Sequence, residues 1–229
     1  MNIKTLGTCL LTICAIAPAS AQDWIDTSEP DHLLSFGARM GFNTSNATRG
    51  GGNSRANLDA WGTGFDAGVV VSLNFNNVVS VQPGFFFQSR SHNYSYVMPQ
   101  TGDNGEAITP NIHEYGHTLN RSFQVPVLGI FTMHPTEGLK WNIEFGPYFN
   151  FGLSGSDKGT MEVGLVSREY SDGYYDHRNK FDFGFKMGSS LTVLDHYYLG
   201  IHYECGACSV WKNGDGRNKA WTFSIGYDF

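Results

Sequence analysis

Eight stretches of strict alternation between apolar and polar residues constrain this chain more than any other feature. In one of them Trp141, Ile143 and Phe145 alternate with Asn142 and Glu144. A period of two is the mark of a β-strand with two different faces. Here one face is large and often aromatic, and the other is made of Gly, Ser, Asn and a few charges. The eight stretches are residues 34–43, 65–75, 79–88, 119–131, 141–151, 181–191, 197–204 and 221–229.

The spacing of these stretches predicts a membrane barrel. Each runs for about 10 residues, enough for a tilted strand to cross a bilayer, whereas strands of globular proteins average about 5–6. Long and short connections alternate strictly, as they do between the extracellular loops and periplasmic turns of outer-membrane barrels. We therefore predict an all-β, eight-stranded antiparallel up-and-down transmembrane β-barrel with four long extracellular loops and three short periplasmic turns. The long connections are 44–60, 91–118, 152–180 and 209–219, and the short ones are 76–77, 134–139 and 195–196.

The composition excludes several other classes of protein. Apolar and aromatic residues are plentiful, which argues against disorder. Downstream of the N-terminal region no apolar run approaches the roughly 20 residues of a membrane helix. Lys and Arg number 15 against 21 Asp and Glu, for a net charge of −6 with no basic stripe, so nucleic acid is not an expected partner. The mean hydropathy of −0.27 averages a lipid-facing surface, a glycine-rich interior and polar loops.

The N-terminus has the pattern of a cleavable signal peptide. Lys4 precedes an apolar stretch at 6–17, and the small residues at 19–21 form a cleavage motif. We expect a signal peptide over 1–21, a short periplasmic segment over 22–32 and the barrel domain over 33–229. The expected location is the cell outer membrane, with the N-terminus in the oxidising periplasm.

Charged residues on the polar faces predict a network inside the barrel. An eight-stranded barrel is just wide enough to be filled by its own side chains, and buried charges persist when they are paired. A mutually paired polar plug is therefore the favoured interpretation, and a proton or ion path is the alternative. The predicted interior network is Arg39, Asp66, Glu144, Asp182, Lys186, His202, Glu204 and Asp228.

Several stretches resemble a known family. The sequences FQVPVLGIF at 123–131 and WNIEFGPYFNFGLSG at 141–155, together with the pattern of the last three strands, resemble the PorT-like small outer-membrane β-barrels of Bacteroidota. The resemblance implies an eight-stranded barrel among lipid and lipopolysaccharide. Some members assist protein secretion, and many have no assigned role. The C-terminal Phe229 resembles the signal that the barrel-assembly machinery reads, so this machinery is an expected partner.

A literal H-E-x-x-H motif spans His113 to His117. On a helix the two His side chains would share one face and bind zinc, with Glu114 as general base. In a strand they would lie about 13 Å apart, too far to share a metal. The motif runs into the fourth stretch, which favours the strand, so no metal or other cofactor is expected and a zinc peptidase is the lesser alternative.

Cys205 and Cys208 lie where the seventh stretch meets the last long connection. A turn brings residues three apart to within about 7 Å, which is compatible with a disulfide. We therefore predict a structural disulfide at the barrel mouth, with a redox or metal role as the alternative.

The long connection before the sixth stretch is rich in rings. These rings predict a binding loop for a glycan or protein partner, since loops commonly carry binding function. They belong to Tyr170, Tyr174, Tyr175 and His177. The alternative is a solvated loop with its tyrosines at the lipopolysaccharide interface.

These observations favour a non-enzymatic envelope-structural, surface-binding or secretion-accessory role. The alternative is an outer-membrane enzyme, either a lipid-modifying hydrolase or acyltransferase or, less favoured, the zinc peptidase. An enzyme should bring His, Asp or Glu and Ser side chains together near one rim of the barrel, and a binding protein should not.

Overall fold

The computed structural model describes residues 24–50, 61–101, 107–212 and 215–229, and the predicted signal peptide lies outside these residues. Nine β-strands follow one another along the described part of the chain. They are β1 (Leu34–Gly50), β2 (Gly62–Asn74), β3 (Val79–Thr101), β4 (Ala107–Thr136), β5 (Leu139–Val163), β6 (Val166–Gly173), β7 (Phe181–Val193), β8 (Tyr197–Gly206) and β9 (Asp215–Asp228).

Eight of the strands close into a ring. Each pairs antiparallel with its neighbours in the order β1–β2–β3–β4–β5–β7–β8–β9, and β9 pairs with β1 from Gly37↔Asp228 to Gly50↔Asp215. Closure pairs the backbone polar groups with one another, which a bilayer requires because it offers them no water. The predicted eight-stranded up-and-down barrel is therefore confirmed.

The connections that were predicted as long loops are partly strand. β3, β4 and β5 contain 23, 30 and 25 residues, more than twice the length needed to cross a bilayer. β6 is a ninth strand, and among the described strands it pairs with the far end of β5 alone. These extensions were not predicted because strands outside the bilayer need not alternate apolar with polar residues.

The ring is apolar on its outer face and polar on its inner face, which is the reverse of a soluble domain. Phe145 and Phe185 stack on the outside with ring centroids 5.8 Å apart, and both are exposed. Glu144 and Thr222 lie inside and are almost completely buried. No helix among the described residues is long and apolar enough to cross a membrane.

Tight turns and the N-terminal segment occupy the end of the barrel opposite the long extensions. Leu194 and Asp195 adopt positive φ angles of 52° and 62° between β7 and β8. Lys140 lies 2.9 Å from Asp195, and this hydrogen-bonded partner lowers the pKa of the Asp195 carboxyl. Asn77 of the β2–β3 turn donates to Asp26 (2.9 Å) and so attaches the N-terminal segment to this end.

Candidate functional site

The barrel interior is crossed by an ion pair between opposite walls. Arg90 of β3 donates to Glu204 of β8, and these strands lie opposite one another in the ring of eight. Lys186 approaches the other carboxylate oxygen of Glu204 at 3.2 Å, and Gln124 donates to Glu204 at 3.1 Å. All four side chains are buried, so they occupy the lumen.

A second cluster surrounds Glu144. Its Oε1 accepts hydrogen bonds from Ser190 (2.5 Å) and Tyr198 (3.0 Å), and its Oε2 lies 2.7 Å from His202 Nε2. This cluster is enclosed within the barrel, because the exposed fractions are 1% for Glu144, 2% for Ser190 and 4% for His202.

The remaining predicted interior residues fall into two groups. Arg39 pairs with Asp228 at 2.6 Å and lies over the ring of Tyr198 at 3.9 Å. Asp66 and Asp182 are also buried inside, but neither forms an ion pair with another described residue. All eight predicted side chains thus face the interior. Arg39 with Asp228 and Lys186 with Glu204 form ion pairs, and His202 contacts Glu144.

Sequence reasoning missed one member of this network. Arg90 follows the third alternating stretch, which was ended at Gln88. Its even number places it on the same face as Ser80, Gln82 and Gln88, all of which are buried. Extending the alternation by one step would have found it.

The residual space among these side chains is small. A cavity of about 20 Å³ lies beside Arg39, Glu144, Lys186 and His202, roughly the room that a single water molecule needs. The described side chains therefore close the lumen at this level.

Two connecting segments form a cap at the end of the barrel that carries the long extensions. We use "cap" for residues 174–180, between β6 and β7, together with residues 209–212, after β8. The backbone N–H of Asn179 donates to Val210 O at 2.9 Å, and that of Lys212 donates to His177 O at 3.1 Å. The two segments thus hold one another over the barrel.

Arg178 fastens the cap to the barrel wall. Its guanidinium donates to Asp157 of β5 at 2.8 Å and lies over the rings of Tyr174 and Trp211 at 4.3 and 4.4 Å. Arg178 is only 4% exposed, so this contact is internal and supports the cap from below.

A chain of hydroxyl and carboxylate groups joins the extended strands beside the cap. Tyr170 of β6 donates to Glu114 of β4 at 2.5 Å, and its hydroxyl lies 2.5 Å from that of Tyr94 of β3. Tyr94 also donates to Asp157 of β5 at 2.7 Å. Burial and the hydrogen bond to Glu114 raise the pKa of Tyr170.

The predicted binding loop is arranged differently from the expectation. Tyr174 is buried, and Tyr175 donates its hydroxyl to Asn120. Tyr170 belongs to a strand and bonds inward to Glu114. Of the four predicted rings, that of His177 is exposed, those of Tyr170 and Tyr175 are half-buried, and that of Tyr174 is buried. The hydroxyls of Tyr170 and Tyr175 bond to β4.

The H-E-x-x-H motif lies in a strand, which is the favoured of its two interpretations, and not in a helix. His113, Glu114 and His117 belong to the first half of β4, where an extended backbone separates the two His residues by about 13 Å. His117 Nδ1 instead lies 2.8 Å from the side-chain oxygen of Asn93. Among the described residues no group of three His, Cys, Asp or Glu side chains could hold a metal ion.

The predicted disulfide is also not formed. Cys205 and Cys208 are both free thiols. β8 continues through Gly206, and Cys205 pairs with Phe185 on one side and Lys219 on the other. The first half of the motif is therefore extended, whereas the prediction assumed a turn.

Comparisons with known proteins agree with this architecture. The model of the family described as "Outer membrane protein beta-barrel domain" matches residues 20–207. No curated protein matches the chain in sequence.

Three solved structures are among those similar to this chain. The attachment invasion locus protein Ail of Yersinia pestis, crystallised with the heparin analogue sucrose octasulfate, is 15% identical, with a TM-score of 0.45 over 86% of this chain and 100% of its own. The Neisserial surface protein NspA is 10% identical, with a TM-score of 0.44 over 86% of this chain and 100% of its own. OprG of Pseudomonas aeruginosa is 10% identical, with a TM-score of 0.36 over 90% of this chain and 99% of its own.

The family model covers most of the chain, and the ring of eight strands has the topology that such a family requires. The protein therefore belongs to the outer membrane protein beta-barrel domain family and resides in the cell outer membrane.

Proposed function

We propose that this protein is a sealed, non-enzymatic barrel that displays a β-sheet on the cell surface for binding another protein. The observation that carries the proposal is the extension of β3, β4 and β5 far beyond a bilayer crossing, with β6 added as the edge of the sheet. An eight-stranded barrel that only crossed the membrane would need none of these residues.

The outer edge of β6 offers backbone groups for pairing. The backbone of β6 pairs with β5 from Val166↔Val163 to Gly173↔Ser156, and no other described strand lies against it. The two strands are joined by a two-residue turn at Gly164 (φ 62°) and Leu165. Antiparallel pairs alternate between bonded and non-bonded positions, and a two-residue hairpin closes on a bonded pair. We infer that the N–H groups of Ser167, Glu169 and Ser171 point away from β5.

An edge of this kind favours an extended partner segment. A strand added to a sheet edge gains affinity from backbone hydrogen bonds and specificity from alternate side chains. Arg168, Glu169 and Asp172 are exposed along β6, and charges on an edge discourage indiscriminate pairing. The preferred partner is therefore an extended peptide segment with charges complementary to these three.

The interior chemistry supports a binding role over an enzymatic one. The converging set of Glu144, Ser190 and His202 lies deep inside the barrel, with each side chain at most 4% exposed. A lipid-modifying enzyme needs such groups where a lipid can reach them. Burial makes a structural role the better account of this cluster.

The finer expectations from the sequence belong to the same proposal. We propose that residues 1–21 are removed as a signal peptide and that Phe229 is recognised by the barrel-assembly machinery. The PorT-like resemblance and a secretion-accessory role are supported by the stretches at 123–131 and 141–155. A display surface is compatible with either adhesion or secretion.

The test is site-specific photo-crosslinking on intact cells that express the protein. A photoreactive residue at Glu169 should capture one defined partner, and Ser171→Pro, which removes an edge N–H, should abolish the product. Ser171→Ala is the matched control and should retain it. Equal crosslinking from Glu169 and from the lipid-facing Phe145, or an unchanged product in Ser171→Pro, would contradict the proposal.

A further inference from the structure

The edge strand β6 carries two opposite charges on one of its faces. Arg168 and Asp172 are four residues apart in this strand, so their side chains leave it on the same side. Both side chains are exposed, and the half-buried Tyr170 lies between them on the same face. The outer edge of β6 therefore has a basic end towards the β5–β6 turn and an acidic end towards the cap.

Neither of these two charges has an ionic partner within the described part of the chain. An extended backbone separates Arg168 from Asp172 by about 13 Å, which is too far for them to pair with one another. The register partner of Asp172 on β5 is a second acid, Asp157, and Arg178 already pairs with that acid at 2.8 Å. A neighbouring strand could pair with both charges if it placed an acid opposite Arg168 and a base opposite Asp172.

The hairpin geometry determines where such a strand would bring its side chains. The N–H of Glu169 points away from β5, because a two-residue hairpin closes on a bonded pair and bonded positions alternate. In an antiparallel partner the residues opposite Arg168 and Asp172 then form non-bonded pairs. Side chains are closer in such pairs, whose Cα atoms lie about 4.5 Å apart, and antiparallel pairing is slightly the more stable kind. The two charges therefore occupy the positions of closest cross-strand contact.

We propose that β6 binds, in antiparallel orientation, an extended segment of another protein with a basic residue followed four positions later by an acidic one. This inference rests on the proposed function and specifies the partner's sequence. An antiparallel segment that is read from its N-terminus meets Asp172 first and Arg168 last, which fixes the order of the two charges. Opposite charges across a pair of strands are stabilising and like charges are destabilising, so this order carries the specificity.

The test is the binding of two fluorescent peptides to the purified protein in detergent, measured by fluorescence anisotropy. Both are extended stretches of Thr and Val that contain one Lys and one Glu four positions apart, and they differ only in which comes first. The Lys-first peptide should bind at least about threefold more tightly. The double variant Arg168→Asp with Asp172→Arg should still bind and should invert this preference, which also shows that the variant is folded.

A second pair of variants separates this inference from the proposed function. Ser171→Pro should weaken the binding of both peptides, and Ser171→Ala should leave it unchanged. Equal binding of the two peptides that is lost in Ser171→Pro would overturn the ordered charges and leave edge pairing intact. A preference for the Glu-first peptide, an unchanged preference in the double variant, or binding of neither peptide would also overturn the inference. Binding that survives Ser171→Pro would overturn both.

Discussion

Arg90 of β3 reaches across the barrel and donates a hydrogen bond to Glu204 of β8 on the opposite wall. Neither side chain is more than 7% exposed. The pair spans the lumen at the level where Lys186 and Gln124 also contact Glu204. The same contact therefore both braces the walls and blocks the path through the barrel.

Breaking this contact should destabilise the barrel strongly. Glu204→Gln leaves Arg90 and Lys186 as buried charges without a carboxylate, and removing one partner of a buried pair costs about 3–5 kcal/mol. Urea unfolding in lipid vesicles measures this loss. Asp195→Asn breaks the exposed pair with Lys140 and should cost about 0–1 kcal/mol. Equal losses in the two variants would show that Glu204 is not the centre of the network.

A charged substitution on the outward face should destabilise the barrel only where that face contacts lipid. Phe145 lies near the middle of the predicted membrane stretch and is exposed, so Phe145→Arg should reduce the unfolding free energy by about 2–4 kcal/mol. Leu165→Arg, in the exposed β5–β6 turn, should cost little in the same assay. A small cost at Phe145 would mean that this face does not contact the hydrocarbon core.

The ring of eight strands follows from the sequence because lipid imposes a strict rule on each crossing. In a strand that crosses the membrane, Phe145 must face the lipid and Glu144 must face the interior. The sequence therefore alternates apolar with polar residues along the strand. The extension of β4 through His113 and His117 shows no such alternation, since both faces of a strand in water can be polar. β6 was predicted as part of a loop because it too lies outside the membrane and need not alternate apolar with polar residues.

Most members of the interior network were predictable, Arg90 excepted, but their pairing was not. Glu144 and Lys186 lie on neighbouring strands, but their partners are His202 and Glu204. Partner choice depends on the stagger of the strands around the ring and on contacts across the lumen. A linear pattern encodes neither of these.

The cap should loosen when Arg178 is replaced. Arg178→Met removes an ion pair with Asp157 and two contacts over aromatic rings, each worth about 0.5–1 kcal/mol or more. Local opening should rise at least about tenfold, because about 1.4 kcal/mol changes a population tenfold. A lysine-specific protease acting after Lys180 measures this opening. Arg168→Met, on the exposed β6 strand, is the control that should leave the cleavage rate unchanged.

High pH should also loosen the cap. Burial raises the pKa values of Tyr174 and Tyr175, and burial with the Glu114 hydrogen bond raises that of Tyr170. The folded state therefore holds these protons more tightly than the unfolded chain, in which tyrosine has a pKa of about 10. The stabilisation is complete below pH of about 10 and is lost as the pH rises towards the folded-state pKa values.

Ultraviolet difference spectroscopy checks this prediction. In the folded protein these tyrosines should ionise above the range of ordinary tyrosines, and Tyr174→Phe should remove part of the late-titrating signal. Lysine-specific cleavage of the cap should accelerate over the same pH range. Ionisation of every tyrosine at the ordinary pKa would contradict the buried arrangement of the cap.

A sealed barrel whose extracellular sheet is the functional surface should not conduct ions. Single-channel recording of the purified protein in a planar lipid bilayer tests this most directly. The wild type should show no steady open channel, because Arg90 and Glu204 join opposite walls and the space beside them holds about one water molecule. A stable open conductance in the wild-type protein would contradict the account.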